Sequence, residues 1–219
     1  MVTTMGHTQL SGHIKMTFHQ YKFLCILFLL LISGFSYSQR IDDWFKVELD
    51  KRLNPKIDTL QEKEVLLFIA KPSFVDPEYS IRVIDRGNQT FLEVRLIEKN
   101  LWTELFRLRR QGSSEVSLQT HFFSIEISTT FKNKMVGVFS KAILINENSK
   151  KKPSGPRTFD GTCFEFRIND NGKNASTTID YELKYDDFEY QVAMTNLRIV
   201  DALKRHFFDE SVYQVYNNP

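Results

Sequence analysis

Residues 79–97 read YSIRVIDRGNQTFLEVRLI. Tyr79, Ile81 and Val83 alternate with Ser80 and Arg82. After Asp85-Arg86-Gly87-Asn88, a second alternation sets Leu92, Val94 and Leu96 against Glu93 and Arg95. A period of two puts successive side chains on opposite faces of a strand, and two such runs around a glycine-containing loop make an antiparallel β-hairpin with one apolar face. That hairpin needs a sheet to join and a layer to cover it, so the rest of the chain is read for strands and amphipathic helices.

Upstream, Val65 to Ala70 is a continuous apolar run closed by Lys71-Pro72, which suits a buried strand. Before it, Trp44, Val47 and Leu49 stand among charges over 41–53, the pattern of a short amphipathic helix, and Asn54-Pro55 ends it. Downstream, Leu101 to Leu108 reads as a third strand, with Trp102, Glu104, Phe106 and Leu108 mixing its two faces before Gly112. From Val116 to Ile127 the apolar set shifts phase: Val116, Leu118 and Phe122 give way to Phe123, Ile125 and Ile127, which implies a bulge or two separate elements.

Ser128, Thr129 and Thr130 then offer N-caps to a helix from Thr130 to Asn146, with Phe131, Met135, Val138, Ala142 and Ile145 recurring every three or four residues. The segment Lys150-Lys151-Lys152-Pro153-Ser154-Gly155-Pro156 reads as a solvated connector. Past Asp160-Gly161, Phe164, Phe166 and Ile168 take one side of a strand and Cys163, Glu165 and Arg167 the other. Asp170-Asn171-Gly172-Lys173 turns into a partner strand carrying Ala175, Thr177, Ile179 and Tyr181. A last helix runs from Asp186 to about Phe208, with Phe188, Val192, Asn196, Ile199, Leu203 and Phe207 on one face. The expected fold is a single α+β domain over 39–219, an antiparallel sheet of five to seven strands covered on one face by two main helices.

Residues 1–38 read as a signal peptide. Lys22 precedes the unbroken apolar run Phe23–Ile32, too short to span a bilayer but of the length of an export signal's hydrophobic region; Ser36 and Ser38 then supply the small residues of a cleavage site before Gln39. Met16 is a possible true start. Cys25 sits at the beginning of the apolar run, not after it, which argues against a lipid-anchored product. The leader takes Lys15 and Lys22 and no acid, so the 29 basic residues against 27 acidic ones become equal numbers. The mature chain therefore lacks the basic footprint of a nucleic-acid binder, and no membrane span is expected in it. Cys163 is left as the mature chain's single thiol, so no intramolecular disulfide is possible and stability must come from an apolar core rich in phenylalanine.

The chemistry-bearing residues are few. The mature chain has two histidines, His121 and His206, neither beside a nucleophile motif, and Cys163 lacks one as well. No cofactor, catalytic residue or metal site is expected. Asp170-Asn171-Gly172 resembles the opening of a calcium loop, but the twelfth position is Tyr181, not Glu. Asp186, Asp187 and Glu189 complement the macrodipole at a helix start; Arg107, Arg109 and Arg110 read as an exposed strand edge. Asn88-Gln89-Thr90 and Asn174-Ala175-Ser176 match the N-glycosylation pattern.

The leader ending Phe-Ser-Tyr-Ser-Gln-Arg, the segments Pro72-Ser73-Phe74 and Pro77-Glu78-Tyr79-Ser80, the step Ile127-Ser128 into a helix, and Phe159-Asp160-Gly161-Thr162 before Phe164 and Phe166 carry a resemblance. The chain resembles small exported proteins of Bacteroidetes with no assigned function. The likeness implies an export address and an α+β fold, and it carries no catalytic residue across. The expected role is that of a secreted or periplasmic, non-catalytic binding or accessory protein whose partner is an envelope protein or glycan; a hydrolase with an unrecognised Asp/Glu site is the alternative.

Overall fold

The sheet is built outward from the hairpin. β2 (Tyr79–Arg86) and β3 (Gln89–Ile97) pair in the register Arg86↔Gln89 to Tyr79↔Leu96, and Gly87 takes φ +60° in the two-residue turn between them. That conformation disfavours a side chain, which is why glycine fits the first turn position. β1 (Glu62–Lys71) pairs with β2, β4 (Thr120–Ile127) with β3, β5 (Cys163–Asp170) with β1, and β6 (Lys173–Ile179) with β5. The result is one six-stranded antiparallel sheet in the order β4-β3-β2-β1-β5-β6.

This computed structural model describes residues 43–57, 61–72, 76–113, 115–148, 162–170, 172–179, 184 and 186–217, and those from Trp44 onward belong to one compact unit. The leader with its Ser38 and Gln39 cleavage point, the Lys150 to Pro156 connector, Asp160-Gly161 and Tyr181 lie outside the described residues.

Two helices cover one face, as expected. α3 (Thr129–Asn148) buries Phe131, Met135, Val138, Phe139, Ala142 and Ile143, and α4 (Phe188–Lys204) buries Val192, Ala193, Ile199, Val200 and Leu203. Between helix and sheet, Phe139 of α3 packs edge to face with Phe68 and Phe166, which do the same with each other, the centroids 5.0–6.1 Å apart, the offset geometry that aromatic quadrupoles favour. The helical period holds in α3, except that Ile143 takes the buried position expected of Ile145. Ser128 is its N-cap: the hydroxyl oxygen accepts the Phe131 N–H (3.0 Å), while the Ser128 N–H and hydroxyl both donate to Glu210.

The reading of Leu101 to Leu108 as a strand is overturned. These residues form α2 (Leu101–Arg110). Asn100 Oδ1 accepts the Thr103 N–H, and Glu78 Oε2 accepts the Leu101 N–H at 2.7 Å, so two of the orphan donors at the helix start are satisfied. Leu101, Leu105 and Leu108 then fall on one buried stripe, and Arg107, Arg109 and Arg110 lie in the last turn of this helix, not on a strand edge.

α2 and α1 (43–53) pack on the second face of the sheet. There Leu49, Leu53, Leu101, Leu105 and Leu118 meet Leu67, Ile69 and Ile97 in a smaller core, with Phe45 edge-on to Trp102. The phase shift at Phe122-Phe123 falls inside β4, which pairs with β3 without a bulge and is one element there. Phe123, Ile125 and Ile127 take the main-core face, Phe122 is half-exposed on the other, and Leu118, ahead of the strand, joins the second-face core. Arg52 holds the lead-in by donating to the carbonyls of Val116 and Leu118.

The last helix is shorter than its sequence pattern. It stops at Lys204, where the Phe207 N–H reaches the Ala202 carbonyl (2.9 Å) and the His206 N–H reaches that of Leu203. This is a Schellman cap, with His206 at φ +58° in the position usually held by glycine. Phe207, expected on the buried face, is therefore 82% exposed. The chain continues through a 3-10 turn (Glu210–Val212) into α5 (Gln214–Asn217), whose Tyr216 hydroxyl donates to Asn196 Oδ1 in the core.

Candidate functional site

The register sets one cross-strand row across four adjacent strands: Leu96, Tyr79, Ala70 and Phe164. Three large side chains flank one small one. α4 passes over this end of the sheet and brings Ala193, Met194, Leu197, Val200, Asp201 and Lys204 to the opposite wall. With an alanine on each wall, the layers leave a cavity of about 300 Å³, whose lining is completed by Pro72, Pro77, Asp76 and Thr162. Its size is at the lower limit of small-molecule sites, and its lining of buried apolar side chains with a few polar groups at the mouth is their usual composition. Tyr79 is 5% exposed, and burial with the nearby Asp201 carboxylate raises its hydroxyl pKa, so it stays neutral. Asp76, Asp201 and Lys204 are solvent-exposed at the rim.

A wider trough of about 860 Å³ runs between α4 and the C-terminal segment. Its walls mix Gln191 and Arg198 with the exposed Phe207 and Val212, so it is an open surface feature and not a formed pocket.

The second face beyond α1 and α2 is a lattice of ion pairs. Buried Arg82 donates to Pro55 O (3.1 Å) and Asn54 Oδ1 (2.6 Å); its Nε lies 2.8 Å from Glu64 Oε2 but off the N–H direction, an ion pair without an aligned hydrogen bond. Glu64 also faces Arg167 at 4.0 Å, and Arg167 donates to Glu165, which pairs with Lys71. Arg86 joins Glu62 and Glu93 and lies over Phe91, and Arg95 lies over the half-exposed Phe122. The four carboxylates Glu62, Glu64, Glu93 and Glu165 are each paired with a cation of this lattice.

Burial raises two carboxyls above their ordinary range: Glu64, opposed by Arg82 and Arg167, and Glu78, opposed by the α2 N–H groups it accepts. Glu64 sits opposite Ile84 on β2, six residues along from Glu78, so the two are about 20 Å apart and share no cleft. His121 is exposed on β4, and His206 is the exposed helix cap. Cys163 is half-buried opposite Lys71, on the sheet side expected from its alternation with Phe164. Asp187 precedes α4 and accepts the Lys184 N–H (2.8 Å), whereas Glu189 is buried. No helix among the described residues is long and apolar enough to cross a membrane. Sequence reasoning named none of the cavity as a site. Alternation in the sequence puts Tyr79, Leu96 and Phe164 on the apolar face, but their meeting with Ala70 in one row depends on strand register.

Compared with known proteins, the chain matches no family profile, no curated protein and no solved structure.

Proposed function

We propose that this chain is an exported, non-catalytic binding protein that takes a small, largely apolar ligand between α4 and the sheet. The observation that carries the reading is the cavity over Ala70, with apolar walls and titratable groups confined to its mouth and to one buried phenol. Such an arrangement gives affinity through apolar burial and orientation through a few polar contacts. The leader reading, with Phe23–Ile32 ahead of Ser36 and Ser38, supports delivery to the envelope or beyond. Hydrolysis by paired carboxylates has less support, because the two carboxyls that burial raises, Glu64 and Glu78, do not converge, and Asp76 and Asp201 at the cavity mouth are both exposed rather than set in an apolar wall.

The test is calorimetric titration of 3-methylindole, a neutral ring-sized probe, into the protein and into Leu197→Trp. Leu197 is 37% exposed at the mouth, so the larger ring obstructs the opening without overfilling the core. Saturable one-to-one binding that the variant loses is the expected result. Binding that persists unchanged in Leu197→Trp would place the ligand elsewhere. For the export half of the proposal, mass spectrometry of the product from an exporting host should find Gln39 at the N-terminus; retention of Phe23–Ile32 would reject it.

A further inference from the structure

We propose that the ligand of this cavity is a cation: an apolar body of about one ring system lying over Ala70, with an ammonium group at the mouth between Asp201 and Asp76. The inference rests on reading the cavity as the ligand site and adds the charge of what it holds. The floor row Leu96, Tyr79, Ala70 and Phe164 accepts only apolar surface, so any charge on a ligand must sit at the mouth. The mouth holds two carboxylates, Asp76 and Asp201, and one ammonium, Lys204. Asp201 and Tyr79 both line the cavity, and the Asp201 carboxylate acts on the buried Tyr79 hydroxyl. Lys204 is exposed, as are Asp76 and Asp201, so the mouth carries one more carboxylate than ammonium. Tyr79 and Phe164, on either side of Ala70 in the row, add aromatic rings to the cavity wall, and a ring face attracts a nearby cation. An anionic head would instead meet two like charges and depend on Lys204 alone.

Three probes with the same ring and different heads separate this proposal from the one beneath it: tryptamine, 3-methylindole and indole-3-propionate, each titrated by calorimetry into the intact protein at neutral pH and low salt. The expected order is tryptamine tightest, by about tenfold over 3-methylindole, with indole-3-propionate weakest. In Asp201→Asn, an exposed position whose change leaves the core intact, the ratio of tryptamine to 3-methylindole affinity falls towards one. Added salt narrows the gap between tryptamine and 3-methylindole. Equal binding of all three probes, or tighter binding of indole-3-propionate, overturns the cationic assignment and leaves the cavity as an apolar site. A tryptamine preference that survives Asp201→Asn and Asp76→Asn together also overturns it. If none of the three binds saturably, the cavity reading fails and this proposal with it.

Discussion

His206 adopts φ +58°, a conformation in which a Cβ crowds the following carbonyl, because the Schellman cap of α4 requires a left-handed residue there. The side chain is exposed, so the position costs strain without a visible packing return. His206→Gly should therefore raise stability by about 1 kcal/mol, read as a higher urea midpoint at unchanged slope; a loss of stability would show that the imidazole does something the fold depends on. Glu78 is the converse case, a group whose burial is offset by capping. Its carboxyl and that of Glu64 are held above the ordinary value of 4.5 by desolvation. The folded chain thus keeps these protons to higher pH than the unfolded chain, so both groups make stability fall as pH rises from about 4.5 through their raised values; at Glu64 desolvation outweighs the attraction of Arg82 and Arg167. Glu78→Gln retains a side-chain oxygen to accept the Leu101 N–H but removes the titration. Between pH 4.5 and 7 the variant should lose less stability than the parent; parallel profiles would contradict the assignment.

α2 shows where periodicity misleads at the scale of an element. Leu101, Leu105 and Leu108 fit a helix, while Trp102, Glu104, Phe106 and Leu108 fit neither face of a strand cleanly. What selects the helix is a cap: Asn100 is local, but Glu78 comes from the far side of the hairpin, and no window of sequence around residue 101 contains it. α3 is the opposite case. Its apolar spacing and the Ser128 cap are both local, so its position and most of its buried face were legible, and only the choice between Ile143 and Ile145 depended on how it lies over the sheet. Met135 is fully buried there, whereas Lys141 is exposed with its ammonium 4.8 Å from the Phe188 ring. Met135→Asp should cost about 2–4 kcal/mol more than Lys141→Asp, since one buries a charge and the other alters a solvated face. Equal denaturation midpoints would mean that the helix is rotated about its axis.

For the whole molecule, alternation in the hairpin and in β5 was enough to anticipate an antiparallel sheet with two helices on one face. The second layer was less legible. Leu67 and Ile69 belong to a continuous apolar run, which says that both faces of β1 are covered but not by what. The cavity lay further from view, because it arises where Ala70, drawn into register with Tyr79, Leu96 and Phe164, passes beneath α4 near Ala193, and these residues are separated by up to 123 positions along the chain. Its functional meaning is likewise a property of the assembled layers. The most direct test is methyl NMR of the protein with Ala, Leu and Val methyl groups labelled, titrated with 3-methylindole. The account predicts that Ala70, Leu96, Ala193 and Val200 shift together and saturate, while Leu53 and Leu105 in the second-face core and Val212 and Val215 by the C-terminal trough stay in place. Shifts confined to Val212 and Val215, or none at Ala70 and Ala193, would contradict it.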